Sequence, residues 1–342
     1  MTDFQPLIHP WNQEIWQHLT LEPERSNHAL LFSGDAGLGK QDIGFALAHF
    51  VLTDNHSQSE SLFNGGSHPD LHVLMPESAI KDDLLGSFAK RYLEEHSGKK
   101  PKQTITVDQI RKLSQRLSTH PHIGSHRVVL IFCAHTMNRN AANALLKSLE
   151  EPPANTLFVI VSDEVSKLAK TIRSRCSMVN FKAPDYQSAE AWLSMQPDIP
   201  KDQVAVHLAM ANNHPIKALK LYQDEYLTTL KQVFTDVNGL WTGRSELTQV
   251  AKQWQGLGQD VCLDILQKLT TDLLRSQLSE QPATLFFPVQ ASWLKSTSAK
   301  LSKARLLSVI DELIYAKKML ATTVDQLLVL ETLANHFKKL PI

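Results

Sequence analysis

A parallel α/β fold followed by an all-α region is what this sequence of 342 residues predicts, and three observations carry it. Short apolar runs alternate with helix-like stretches through the first half, as strands joined by crossover helices do. A Gly-rich turn separates the first such run from the first long helical stretch. Past Phe181 the strand-like runs stop, and apolar residues recur at helical spacing instead.

Taken in order, His28–Phe32 (HALLF), Leu71–Met75 (LHVLM), Arg127–Phe132 (RVVLIF) and Leu157–Val161 (LFVIV) read as buried strands. Between them Lys40–Leu52, Val107–Leu117 and Asn140–Glu150 read as helices, and the last is stopped by Pro152 and Pro153, which cannot continue the hydrogen-bond ladder. The polar, Gly-containing stretch Asp54–Ser67 reads as a flexible loop. Lys182-Ala183-Pro184-Asp185 reads as a hinge, with helical material from Tyr186 onward. In that second half Leu306, Ile310 and Leu313, then Leu327, Leu330, Ala334 and Phe337, keep helical spacing, and Ser279–Thr284 and Lys295–Lys300 read as polar loops.

Bulk composition narrows the function classes. A chain this long holds two or three packed domains, because single cores stop growing near about 250–300 residues. Thirty-five basic residues balance thirty-five acidic ones, so any contact with nucleic acid or an anionic surface has to come from a local patch. Cys133, Cys176 and Cys262 are odd in number and far apart, which argues against a disulfide framework and for a reducing, cytoplasmic setting. The N-terminus has no basic start followed by an apolar stretch, and no apolar run is long enough to span a bilayer. The expectation is a chain neither exported nor inserted.

Gly34–Gln41 reads GDAGLGKQ between a strand and a helix, which is the context of a phosphate-binding loop. Gly34, Gly37 and Gly39 would let backbone amides turn toward a phosphate, the helix N-terminus would add a favourable field, and Lys40 could reach the outer phosphates. The residue after the lysine should carry a hydroxyl for magnesium, and here it is Gln41. At the end of the third strand, where one carboxylate should bind magnesium and another polarise water, stand Phe132 and Cys133. Two readings of the loop stay open, a scaffold turn or a weak nucleotide site; a hydrolysing site is not expected. Cys133 and His135 read as a packed thiol and an incidental imidazole rather than a nucleophile and its base. His120, His122 and His126 lie in a loop without thiolate or carboxylate companions at ligand spacing, so no metal is expected there.

One further set of motifs is more specific. NALLKSLEEPP at Asn143–Pro153, FVIVSD from Phe158 and RSRC at Arg173–Cys176 resemble bacterial clamp-loader subunits of the AAA+ class, and so do NHALL at Asn27–Leu31, SHPD at Ser67–Asp70 and TVDQIR at Thr106–Arg111. The resemblance covers about residues 25–182 in motif and the remainder in length and pattern. It implies a RecA-like AAA+ domain over 1–182, a small helical lid over 183–225 and a helical collar for oligomerisation over 226–342. Motor subunits of that family, gamma and tau, keep both nucleotide motifs, whereas delta-prime subunits keep the Ser-Arg-Cys element with degraded ones; Gln41, Phe132 and Cys133 match the latter. Asn213-His214-Pro215-Ile216 stands where motor subunits carry a Gly-Ser-x-Arg motif, with Lys217 out of register.

What the resemblance implies for function is a non-hydrolysing subunit that supports ATP-dependent loading of the sliding clamp onto primed DNA. Ser174-Arg175-Cys176 would then face a neighbouring ATPase, with Arg175 as an arginine finger acting in trans, assisted by Arg173. Implied partners are the gamma/tau ATPase subunits and the delta subunit, and, through the assembly, the clamp and primer-template DNA. No cofactor is required, and the zinc that many relatives hold through four cysteines in the segment matching Asp54–Ser67 is not expected, since that segment has none. Lys167, Lys170, Arg111, Lys112 and Arg116 are the candidates for a local DNA-facing basic surface. The alternatives are an independent P-loop ATPase acting on DNA and a simple DNA-binding protein.

Overall fold

The structure, a computed structural model, describes residues 4–21, 28–53, 57–93, 100–279, 285–320 and 324–341. Asn27 of the NHALL stretch, residues 54–56 of the expected loop and 280–284 of another lie outside the described residues. The chain divides into two compact units, Met1–Ala183 and Pro184–Ile342.

The first unit opens with a 3-10 turn, Pro10–Asn12, that leads into α1 (Gln13–Leu21). There follow β1 (Ala29–Ser33), α2 (Lys40–Thr53), α3 (Ser57–Asn64), β2 (Leu71–Leu74), α4 (Leu84–Ala89), α5 (Val107–Leu117), β3 (Arg127–Ile131), α6 (Arg139–Glu150), β4 (Thr156–Ser162), α7 (Lys170–Arg173) and β5 (Ser177–Asn180). All strand pairings are parallel, in the order β2-β3-β4-β1-β5. β1, β2 and β3 are buried along their whole length because crossover helices cover both sheet faces, and their near-continuous apolar sequences follow from that. A parallel five-stranded sheet with helices on both faces is the α/β class that the run of strands and helices predicts.

Local chemistry sets the ends of these elements. Thr106 and Gln109 form a capping box at the start of α5, and Asn138 accepts a hydrogen bond from the Ala141 amide to cap α6. Pro152 and Pro153 follow α6 after the capping residue Glu151.

Three expectations are corrected. Part of Asp54–Ser67 is not a loop: Ser57–Asn64 is helical, anchored by Phe63, which is fully buried among the rings of Phe4, Phe45 and Phe88. One apolar anchor on an otherwise polar turn was too weak a periodic signal to read. The fifth strand, Ser177–Asn180, carries no apolar run because it is only partly covered, with Met178 and Asn180 turned outward.

The second unit is helical: α8 (Tyr186–Ser194), α9 (Lys201–Met210), α10 (Pro215–Gln223), α11 (Tyr226–Trp241), α12 (Leu247–Leu257), α13 (Gln259–Leu278), α14 (Ala291–Ser298), α15 (Lys303–Leu320) and α16 (Gln326–Lys338). Asp185 caps α8 by accepting from the Ser188 amide at 2.8 Å. Ala189, Leu193, Val204, Leu208 and Ala218 form one small core, and α11 to α16 pack around a larger one that includes Trp254 and Phe337. Glu225, in left-handed backbone at φ 50°, separates α10 from α11. The third correction falls here, since Lys295–Ser298 completes α14 instead of forming a loop, held by the buried Leu294. Among the described residues no helix is long and apolar enough to cross a membrane.

Candidate functional site: a filled phosphate loop and an outward arginine

The phosphate loop leaves the C-terminal end of β1, where parallel sheets bind ligands. Its glycines are structural necessities at two points. A Cβ at Gly34 would stand 2.5 Å from the Phe181 carbonyl oxygen, and one at Gly39 would meet the His9 ring at 2.6 Å and the Asn12 amide at 2.8 Å. The second contact shows that the N-terminal turn lies against the loop. Trp11 Nε1 and Asn12 Nδ2 both donate to the Leu38 carbonyl, at 3.0 and 2.8 Å, and His9 Nε2 donates to Asp42 on the first turn of α2 at 2.9 Å.

Lys40 is turned inward. Only 3% exposed, its ammonium donates to the Gly34 carbonyl at 2.8 Å and to the Asp35 carbonyl, and pairs with Asp163 at 2.7 Å. Nothing in the residue pattern around the loop signals this closure, although Asp163, in the FVIVSD stretch just past β4, occupies a place where a polar side chain meets the loop. Gln41 is exposed beside a small cavity of about 100 Å³ that Phe132 and Cys133 also line.

At the end of β3 the structure goes further than a missing carboxylate. Phe132 is fully buried in the core, its ring within van der Waals distance of where a Cβ on Gly44 of α2 would lie. Cys133 adopts left-handed backbone at φ 52°, and burial, then the Asp163 carboxylate, push its thiol up to about 11. That is the wrong direction for a nucleophile. His135 lies 4.0 Å from Glu164 and is not arranged as a base toward Cys133.

The Ser-Arg-Cys element follows α7. Ser174 caps that helix, and burial raises the Cys176 thiol to about 11. Arg175, with 35% of its side chain exposed, donates to the Thr171 carbonyl at 2.9 Å and pairs with Glu150 at 2.6 Å. Glu150 ends α6, where a negative charge opposes the helix dipole, and the guanidinium offsets that conflict. An acidic residue at a helix C-terminus is the sequence signal that could have identified this partner. Arg173 is half-buried, its Nε without a hydrogen-bond partner among the described residues.

Of the five candidates for a basic surface, four make contacts within the chain, and the ion pairs of Arg111 and Lys167 are exposed and exchangeable. Arg111 pairs with Asp108 at 3.2 Å, Lys112 donates to the Leu93 carbonyl at 2.7 Å, and Lys167 pairs with Glu164 at 2.7 Å. Arg116 stacks over Tyr92, and Lys170 is exposed on α7. Among the described residues no group of three or more His, Cys, Asp or Glu side chains is placed to hold a metal ion, and that includes His120, His122 and His126.

Comparison with known proteins places these features in a family. A family model described as DNA polymerase III, delta subunit, matches residues 11–185, just over half of the chain. The DNA polymerase III subunit delta' of Pseudomonas aeruginosa is 28% identical over 345 residues, covering 98% of each chain. That of Escherichia coli is 30% identical over 227 residues, covering 64% of this chain and 61% of its own. Among solved structures, a DNA polymerase III gamma subunit-related protein from Thermotoga maritima aligns over 95% of this chain and 98% of its own at 16% identity, with a TM-score of 0.46. The family match and the relatives of that name agree with the motifs, and the chain belongs to the delta-prime family of DNA polymerase III clamp-loader subunits.

Proposed function

We propose that this chain is a non-hydrolysing subunit of the clamp loader that lends Arg175 to the ATP site of a neighbouring gamma or tau subunit. One observation carries the non-hydrolysing half of this reading: Lys40 already has three partners within its own chain, and Phe132 fills the place of a magnesium-binding carboxylate. A pocket without that carboxylate, the hydroxyl after Lys40 and the water-polarising acid has no means to position a divalent cation and activate water. ATP binding by this chain is then weak or absent, no cofactor is required, and the glycine loop serves the fold.

The second half rests on Arg175. A permanently charged, planar guanidinium on an exposed helix end suits the charge that develops in phosphoryl transfer, and its Glu150 partner is half-exposed and exchangeable. In the assembled loader the chain would sit with gamma or tau and delta in the cytoplasm, and through them act on the sliding clamp and primer-template DNA.

The test is magnesium-dependent ATP turnover by the purified chain. Turnover at the rate of a complete AAA+ motor, lost on Lys40→Ala, would make this an independent P-loop ATPase and overturn the first half.

A further inference from the structure

At the opposite end of the sheet from the phosphate loop, where β2 and β3 begin, lies a cavity of about 550 Å³. That volume falls within the range of small-ligand sites, about 300–1,000 Å³. Its lining is strongly cationic. Arg127 is 2% exposed; its two terminal nitrogens donate to the carbonyls of Arg116 and Thr119, and its Nε has no hydrogen-bond partner among the described residues. Arg91 is half-buried, fixed by bonds of 2.8 Å to the carbonyls of His68 and Gly66 and by stacking on Phe88. Arg116 is exposed, stacked over Tyr92.

Among the described lining residues the one carboxylate facing these three guanidinium groups is Asp70, and it is already engaged. Its two oxygens accept from the backbone amides of His122 and Ile123 at 2.8 and 2.7 Å. The surplus of positive charge also acts on His72, which is held neutral by burial and then by the charges of Arg127, Arg116 and Arg91. Three guanidinium groups around one cavity, with its carboxylate already engaged, leave a positive charge that an anion in the cavity would offset. Planar, forked donors whose orientation is fixed in advance by carbonyls suit phosphate oxygens.

We propose that this cavity binds a phosphate group through Arg127, Arg91 and Arg116, carried either by a small phosphorylated molecule or by the 5′ end of a nucleic-acid strand. The site is separate from the phosphate loop and independent of the role given to Arg175.

The probe is inorganic pyrophosphate, titrated calorimetrically into the full chain at low salt. Saturable binding is expected, weakened about tenfold or more by Arg116→Gln, whose exposed side chain can change without disturbing the core. Arg127→Gln is the stronger variant where it folds. A short single strand with a 5′-phosphate, compared with its 5′-hydroxyl form, separates the sources: a preference for the phosphorylated strand assigns the site to strand ends, and equal binding assigns it to free phosphates. No saturation at millimolar pyrophosphate, or equal affinity in wild type and Arg116→Gln, overturns the proposal. So does binding lost in Lys40→Ala but kept in Arg116→Gln, which would move the anion to the phosphate loop.

Discussion

Lys40 and Arg175 are two cations with matching partners and opposite prospects. Each has one carboxylate, Asp163 or Glu150, and at least one carbonyl of its own chain. Lys40 is 3% exposed, whereas the Arg175 side chain is 35% exposed. An incoming phosphate at Lys40 would have to displace three contacts from a buried ammonium, where each is strong and water is not there to replace them. At Arg175 the carboxylate competes with solvent, and exposed pairs of this kind contribute about 0–1 kcal/mol. The same pairing therefore closes one site and leaves the other open to exchange. Burial, not residue type, makes the difference.

The most severe way to test the comparison is to remove the open cation. Arg175→Ala in a reconstituted loader should leave assembly intact and slow hydrolysis at the adjacent ATP site by on the order of 10³, about 4 kcal/mol of transition-state stabilisation. DNA-stimulated turnover, with the other ATP sites inactivated, reads this directly. An unchanged rate would remove the finger assignment and leave Arg175 as a structural partner of Glu150.

Removing the closed cation should cost stability. Lys40→Met leaves the Gly34 and Asp35 carbonyls and Asp163 without their shared donor, and the chain should lose about 2–3 kcal/mol in urea unfolding. A neutral substitution would mean that these contacts are no better than those with water, and that Lys40 is as free to turn outward as Arg175.

How much of this was legible in the sequence depends on the range of the interaction. The four apolar strands, the helix at Val107–Leu117 and the start at Tyr186 could be read because buried strands and capped helices carry their signal within a few residues. Gln41, Phe132 and Cys133 exposed the emptied metal site through type and position alone. The closure of the loop could not be read in the same way, because His9, Asn12 and Asp163 reach it from separate parts of the chain. Ser177–Asn180 was missed since only alternate residues of it are covered, and α3 because Phe63 is its one fully buried apolar side chain and its other anchors, Ser59 and Glu60, are polar.

A second buried base asks whether burial governs charge in this unit more generally. His72 on β2 is hydrogen-bonded with the Tyr92 hydroxyl at 2.5 Å, and burial, followed by three nearby arginines, pushes its pKa from 6.5 to about 3. The unfolded chain takes up a proton as pH falls below 6.5, and the folded chain does not until about 3, so this contribution is complete above 6.5 and lost on acidification. Between pH 6.5 and 5 the loss should be about 2 kcal/mol. His68 shifts in the same direction, whereas burial raises the carboxyls of Asp236 and Asp272 in the helical unit, which opposes the trend at lower pH. The urea midpoint should be lower at pH 5 than at pH 7, and His72→Gln should narrow the gap. A gap that His72→Gln leaves unchanged would place the acid sensitivity elsewhere.

The smallest effect is the one that separates holding from aiming. Glu150→Gln removes the charge that pairs with Arg175 while the bond from the guanidinium to the Thr171 carbonyl remains. Stability should change by less than about 1 kcal/mol, since Glu150 is half-exposed and sits at the unfavourable end of the α6 dipole. If the pair only holds the guanidinium until a phosphate displaces the carboxylate, hydrolysis at the neighbouring site should stay within about twofold of wild type, because the lost partner is one the bound state gives up anyway. If Glu150 instead aims the guanidinium, the rate should fall toward that of Arg175→Ala with stability still intact. The two outcomes differ in rate and not in stability, so the turnover assay decides between an exchangeable partner and a positioning one.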